Sequence, residues 1–279
     1  MRQRTGAIVC PRCERLIAAN EKRCPNCGTW QPGMFGYGPA LSRWLGGSLD
    51  ITNAITLTCV ALYVLSLALD PMAIFQFRGG IFGILSPSGE ALFKLGMTGG
   101  YQLVTGQWWT LCTAIFLHGG VLHILFNMAV MRQYLPNVEH LFGPVRAYTI
   151  FMIAGIAGFA LSAGTGLFFG VHNTVGASGA IFGLLGALIS YGRRTHQSFV
   201  TNQLWGSAIM MFVMGFLMSG VDNWAHAGGF AGGYLCAQFM PTAGRREQAG
   251  ELVLAGVLTL VTVAGFVLSL FGFAPGGLH

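Results

Sequence analysis

The sequence predicts an all-α polytopic membrane protein preceded by a small polar domain. Three observations predict it: 53% of the 279 residues are hydrophobic, only 9% are charged, and the apolar residues gather into seven membrane-length segments. Soluble domains carry roughly 25% charged residues, so counting soluble domains from length does not apply. The mean hydropathy of +0.62 agrees. A net charge of +6 raises nucleic acid as a partner. The basic residues, however, lie between apolar segments and at the N-terminus, which argues against that class. No secretory signal peptide is visible, because the N-terminus is polar and cysteine-bearing with no apolar stretch before a cleavage site.

Residues 1–30 carry Cys10, Cys13, Cys24 and Cys27 in the spacing C-x2-C-x10-C-x2-C, with Gly28 after the last cysteine. Two such knuckles read as a zinc ribbon. Four thiolates satisfy a tetrahedral zinc ion, and a unit this short needs a staple to fold. Two disulfides are the alternative. Thiolate ligands suit a reducing compartment and place this end in the cytosol. The remaining cysteines, Cys59, Cys112 and Cys236, are single and sit in apolar surroundings as small hydrophobes. Residues 31–49, with several glycines, read as a linker.

The apolar segments follow in order. The first, Ile51 to Leu69, has no charge and ends at Asp70-Pro71. Residues 71–107 are rich in Gly, Phe and Pro and read as a long loop in the membrane interface, with Trp108-Trp109 as an interfacial anchor. The other six segments run from about Gly119 to Leu135, Ala147 to Phe169, Ala177 to Tyr191, Leu204 to Met218, Asn223 to Phe239 and Leu252 to Phe271. With seven spans and the N-terminus in the cytosol, thirteen of the fifteen Lys and Arg residues fall on the cytosolic side. Only Arg78 and Lys94 lie outside, as the positive-inside rule requires. The C-terminal residues Ala274 to His279 are then outside, and the setting reads as a bacterial-type cell membrane.

Polar side chains at matching depth pick out the second, fourth and sixth segments. His118, His123 and Asn127 lie near the start of one, Ser178 near the start of the next, and His226 near the start of the third. Ionisable residues inside a membrane mark function by default. Gly179 and Gly183 on one segment, and Ala225, Gly229 and Gly233 on the other, form small-residue stripes that let helix backbones approach closely. That approach is what Ser178 needs to reach His226, a base that could activate it. Packing with one interhelical hydrogen bond is the bland alternative. His123 and Asn127 share a helix face at i, i+4 and are both donors, suited to an oxyanion or to a packing pair. Asp222, four residues before His226, suits a helix cap better than a triad's third member. The soluble nucleophile elbow G-x-S-x-G is absent, since Ala180 stands at the second glycine.

His118-Gly-Gly-Val-Leu-His123-Ile-Leu-Phe-Asn127, Gly176-Ala-Ser178-Gly179 and Ala225-His226-Ala-Gly-Gly229, in this order on separate helices, resemble the rhomboid family of intramembrane serine proteases over about residues 50–242. The resemblance implies a six-helix catalytic core, to which residues 243–279 add a seventh transmembrane helix and a short tail. It implies Ser178 as nucleophile, His226 as general base, His123 and Asn127 at the oxyanion, and His118 as a water-holding support. Trp109, Thr113, Glu139, Gly143 and Arg146 also match. The family's loop motif E-x-W-R reads Gln107-Trp108-Trp109-Thr110 here, which puts loop bracing and substrate access in question. Phe182 stands where a tyrosine often packs on the histidine. The implied activity is endoproteolysis of transmembrane protein substrates near the outer face of the lipid bilayer, with no catalytic cofactor and zinc only as a structural ion. A catalytically dead relative that binds client segments is the rival reading. A transporter is disfavoured, because no repeat is found and the polar groups avoid the midplane. The ribbon could recruit a cytosolic partner, bind nucleic acid or only cap the chain.

Overall fold

A computed structural model describes residues 6–10, 15–28, 50–75, 83–169, 173–218, 220–242 and 248–272. Cys13, the linker 31–49, Arg78, Arg245, Arg246 and the tail from Ala274 lie outside the described residues. The chain forms two compact units, Met1–Ala54 and Ile55–His279.

In the N-terminal unit, β1 (Ala7–Val9) pairs antiparallel with β2 (Leu16–Ala18) in the register Ala7↔Ala18, Ile8↔Ile17, Val9↔Leu16. Strand alternation turns Ile8 and Ile17 inward, where they cluster with Cys10, Ala19 and Cys24, with Cys27 packed against them. The Gly28 amide bonds to the Cys24 carbonyl at φ +73°, a knuckle-closing conformation that glycine adopts without strain.

Among the described residues seven long helices follow, the second unit holding all of them but the first turn of α1: α1 (Ile51–Leu69), α2 (Val121–Phe142), α3 (Pro144–Phe169), α4 (Ser178–Arg194), α5 (Ser198–Leu217), α6 (Asn223–Phe239) and α7 (Ala249–Leu270). Each covers one predicted segment. Helix α1 starts where the Asp50 carboxylate accepts from the Asn53 amide at 2.7 Å, and it stops before Pro71. Helix α2 runs two turns beyond the expected end, through Pro136, because Val138 and Phe142 are fully buried there. Packing against neighbouring helices makes a proline tolerable inside a membrane helix. Helix α6 ends before Pro241, with Met240 extended, as the residue preceding a proline prefers.

Residues 71–107 are not a plain loop. They contain a short 3₁₀ turn (Pro71–Phe75) and helical turns at Gly89–Lys94 and Gly100–Val104. A two-residue strand, β3 (Thr98–Gly99), pairs antiparallel with β4 (Asn173–Thr174). Trp108 is exposed, but Trp109 is buried in the protein, so only the first of the two tryptophans is free to face an interface.

Helices α1, α3, α5 and α7 are long and apolar enough to cross a membrane by themselves. Thr110–Phe116 and α2 pass together as a pair bent by 91°. Helices α4 and α6 have 17 residues each, about 26 Å at 1.5 Å per residue, against a hydrocarbon core of about 30 Å. These two short helices carry Ser178 and His226. Helix α4 is buried along nearly its whole length, as a helix apolar on every face requires.

Helices α3, α4 and α6 touch backbone to backbone. A Cβ on Gly229 would strike the Gly179 carbonyl, one on Gly233 would strike the Gly183 carbonyl, and one on Gly228 would lie 2.8 Å from the Ala157 carbonyl. Overpacking of this kind costs roughly 1–3 kcal/mol. We therefore expect Gly229→Ala and Gly233→Ala to lower the thermal unfolding midpoint of the detergent-solubilised protein. Gly164→Ala and Gly256→Ala, where a Cβ meets nothing within 4 Å, should leave it unchanged or raised. Equal behaviour of the two pairs would refute the backbone-contact account.

Candidate active site

The close approach of α4 and α6 brings two predicted residues together: His226 Nε2 lies 2.9 Å from Ser178 Oγ. Ser178 is half-buried at the first turn of α4, and His226 is buried on the first turn of α6. The Phe182 ring, one turn along α4 from Ser178, stacks on the His226 imidazole at a centroid distance of 4.2 Å and 19° between planes. The phenyl face thus does the packing expected of it without a hydroxyl.

Asp222 caps α6. Its Oδ1 accepts from the Ala225 amide at 3.0 Å, and its Oδ2 accepts a short hydrogen bond from the Ser162 hydroxyl on α3. Both carboxylate oxygens are therefore engaged away from the His226 ring. Among the described residues, His226 Nδ1 has no hydrogen-bond partner. The arrangement is a pair rather than a triad. Ser162 gave no signal in the sequence, because one serine in an apolar helix follows no periodicity.

On α2, His123 Nδ1 accepts from the Gly119 amide at 3.3 Å. A nitrogen that accepts an N–H carries no proton, so the proton of the neutral ring belongs on Nε2. That Nε2 lies over Gly176: a Cβ there would meet it at 2.7 Å. Gly176 precedes Ser178 by two residues, has φ +131°, and donates its amide to the Ala114 carbonyl at 2.9 Å. Only glycine meets both demands. The Asn127 amide donates to the His123 carbonyl at 2.8 Å, which leaves one N–H of that amide over. At the start of α4, the amides of Ser178, Gly179 and Ala180 have no acceptor within the helix, and Ala177 provides no side-chain cap. His123 Nε2 and the free amides at the start of α4 thus lie within two residues of Ser178.

His118 has no solvent exposure, and its ring meets that of His123 edge-on at 5.1 Å. Neither ring nitrogen has a well-formed hydrogen bond among the described residues, and the Phe116 backbone interacts with the ring. In the N-terminal unit, the Sγ atoms of Cys10, Cys24 and Cys27 all lie within 4.8 Å of one another, close enough to share a metal ion.

A serine and a histidine are thus paired between two interior helices of a protein whose other long helices can cross a membrane. The comparisons with known proteins name the kind. Residues 105–242 match the family model of the rhomboid domain. The chain is 32% identical over 201 residues to Rhomboid protease GluP of Bacillus subtilis (strain 168), covering 70% of this chain and 37% of that one. It is 36% identical over 210 residues to RHOMBOID-like protein 7 of Arabidopsis thaliana, covering 66% of this chain and 65% of that one. RHOMBOID-like protein 4 of the same plant is 32% identical over 225 residues, covering 70% of this chain and 55% of its own length. The chain belongs to the rhomboid family and is an integral multi-pass membrane protein. The alignments span between about a third and two thirds of these relatives.

The engaged carboxylate of Asp222 yields a sharp test. Asn is an equally good helix cap, so Asp222→Asn should change the rate at which a fluorophosphonate labels Ser178 by less than about threefold. A triad carboxylate would cost about 10⁴-fold, and a loss on that scale would assign Asp222 to the reacting group. Phe182→Leu removes the stacked ring and should slow labelling by up to about tenfold, the scale of one aromatic contact.

Proposed function

We propose that this protein is an intramembrane serine endopeptidase that cuts transmembrane segments of membrane-protein substrates. The observation that carries the reading is the 2.9 Å contact between Ser178 Oγ and His226 Nε2 beneath a stacked Phe182 ring. Rhomboid protease GluP, a relative named for this activity, supports it.

In this reading Ser178 Oγ attacks the carbonyl carbon of a locally unwound substrate helix, and His226 Nε2 takes the hydroxyl proton. The carbonyl oxygen becomes an oxyanion. It is held by the Ser178 amide, the His123 Nε2–H and the spare N–H of Asn127, donors fixed before the charge develops. His226 returns the proton to the leaving amine. A water, deprotonated by the same imidazole, then cleaves the acyl-enzyme. The buried His118 ring, edge-on to His123, suits a group that holds such water.

The reading extends to orientation and to the N-terminal unit. Its N-terminus faces the cytosol and its C-terminus the outside, so the serine works in the outer half of the membrane. Cys10, Cys13, Cys24 and Cys27 hold one structural zinc ion. Sγ of Cys10 and Sγ of Cys27 are 3.7 Å apart, and a tetrahedron with Zn–S bonds of about 2.3 Å has edges of about 3.8 Å.

Cleavage of a panel of single-span substrates by purified protein in detergent tests the catalytic reading. Ser178→Ala and His226→Ala should each reduce cleavage by about 10⁴-fold or more, and Asn127→Ala by about 10²–10³-fold. Cutting by the serine and histidine variants at the wild-type rate would overturn the mechanism. If wild type neither cuts nor takes up a fluorophosphonate at Ser178, the protein is a binder of client segments instead. Metal analysis of the purified protein should find one zinc per chain, lost in Cys10→Ser and Cys24→Ser. Metal-free wild type would overturn the zinc assignment.

A further inference from the structure

Helix α7 is packed against the catalytic core at both of its ends. At its start, Glu251 accepts from Arg146 Nε at 2.8 Å, with Arg146 only 1% exposed, while Gln248 and Glu251 form a capping box. Midway, the Tyr148 and Thr259 hydroxyls bond at 2.9 Å. At its far end, Trp109 Nε1 donates to Ser269 Oγ at 3.1 Å. Gly265 faces Thr113 and Trp109, where an added Cβ would lie 3.0–3.1 Å from their side chains.

Trp109 begins a short path to the site. It immediately precedes the helical turn Thr110–Thr113, and Thr113 Oγ1 donates to the Gly96 carbonyl at 2.6 Å. The next residue is Ala114, whose carbonyl holds the Gly176 amide. Gly176 in turn carries the His123 contact and leads into Ser178. The loop around Trp109 lacks the charged pair of the E-x-W-R pattern: Gln107 stands at the Glu position and Thr110 at the Arg position. Thr110 Oγ1 bonds to the Gln107 carbonyl at 2.7 Å and to Thr98 Oγ1 on β3 at 3.0 Å.

We propose that Ser269 on α7 is a positioning residue for the reaction. It anchors the Trp109 indole and so holds Ala114 and Gly176 in the arrangement that places the oxyanion donors. This rests on the protease reading for its functional consequence. The seventh helix then replaces the missing ionic brace of the first loop with a hydrogen bond from outside the six-helix core.

The test is a double-mutant cycle on Trp109→Phe and Ser269→Ala in the full-length protein. It is read by kcat/KM for a single-span substrate and by hydrogen exchange of the peptide containing Gly176. Each single change removes the bond while keeping most of the packing. Each should lower kcat/KM by about three- to tenfold, the scale of one buried hydrogen bond, mainly through kcat. Each should also speed exchange at Gly176. The double variant should be no worse than either single one. Ser269→Thr keeps the hydroxyl and should restore both readouts. Additive losses, or a Gly176 amide that exchanges at the wild-type rate in Ser269→Ala, would overturn the proposal. If wild type neither cuts nor takes up a fluorophosphonate at Ser178, the protease reading fails, and the exchange readout still decides whether Ser269 holds Gly176.

Discussion

The site depends on one constraint: α4 and α6 must touch at the backbone. A serine side chain is short and an imidazole is only one ring long, so the two meet at hydrogen-bond distance only if their helices lie closer than side chains normally allow. Gly179 and Gly183 on α4, facing Gly229 and Gly233 on α6, remove every Cβ that would hold the helices apart. Membrane helices have no hydrophobic drive toward each other, so this van der Waals contact is also what keeps them together. The same glycines therefore supply both the cohesion of the interior and the geometry of the Ser178–His226 pair.

Close packing also explains how a histidine is oriented without a carboxylate. The ring of His226 cannot rotate freely between the α4 backbone and the stacked face of Phe182. Asp222 is committed to the α6 amides and to Ser162. A buried carboxylate at Nδ1 would bring a second charge into a low-dielectric interior at a cost of several kcal/mol. An aromatic face fixes the ring plane with no such desolvation. His123 and Asn127 follow the same economy, held by local bonds to the Gly119 amide and to the α2 backbone.

Much of this was legible in the sequence because it is written in local patterns. Glycines four residues apart signal helix contact, and a histidine and an asparagine at i, i+4 share a face wherever the helix lies. A capping aspartate sits where Asn223 begins an apolar run, so its structural role could be read in advance. Other features depend on contacts between distant residues and could not be read. Trp109 pairs with Trp108 in sequence as an interfacial anchor, yet a serine 160 residues away draws it inside. Helix α2 continues through Pro136 because of what packs on Val138 and Phe142, and that is invisible to a rule about proline. The partners of Glu251, Thr259 and Ser269 on α7 likewise lie far away in sequence.

Helix α7 is held at two points of different kinds, and the difference matters. The Arg146–Glu251 pair joins the first turns of α3 and α7, so these helices run parallel, with α4, α5 and α6 intervening in sequence. An ion pair this buried contributes little net stability, because desolvation offsets most of its attraction; its best-attested role is to fix register. The histidines and Ser178 lie near the starts of α2, α4 and α6, helices that alternate with α3 and α7 along the chain. Register set by the ion pair therefore bears on which residue of α7 arrives beside Trp109, about five turns along the helix from Glu251. A shift of one residue along α7 would rotate Ser269 by about 100° away from the indole. On the proposed role of Ser269, the ion pair at one end fixes the register that the hydrogen bond at the other end uses.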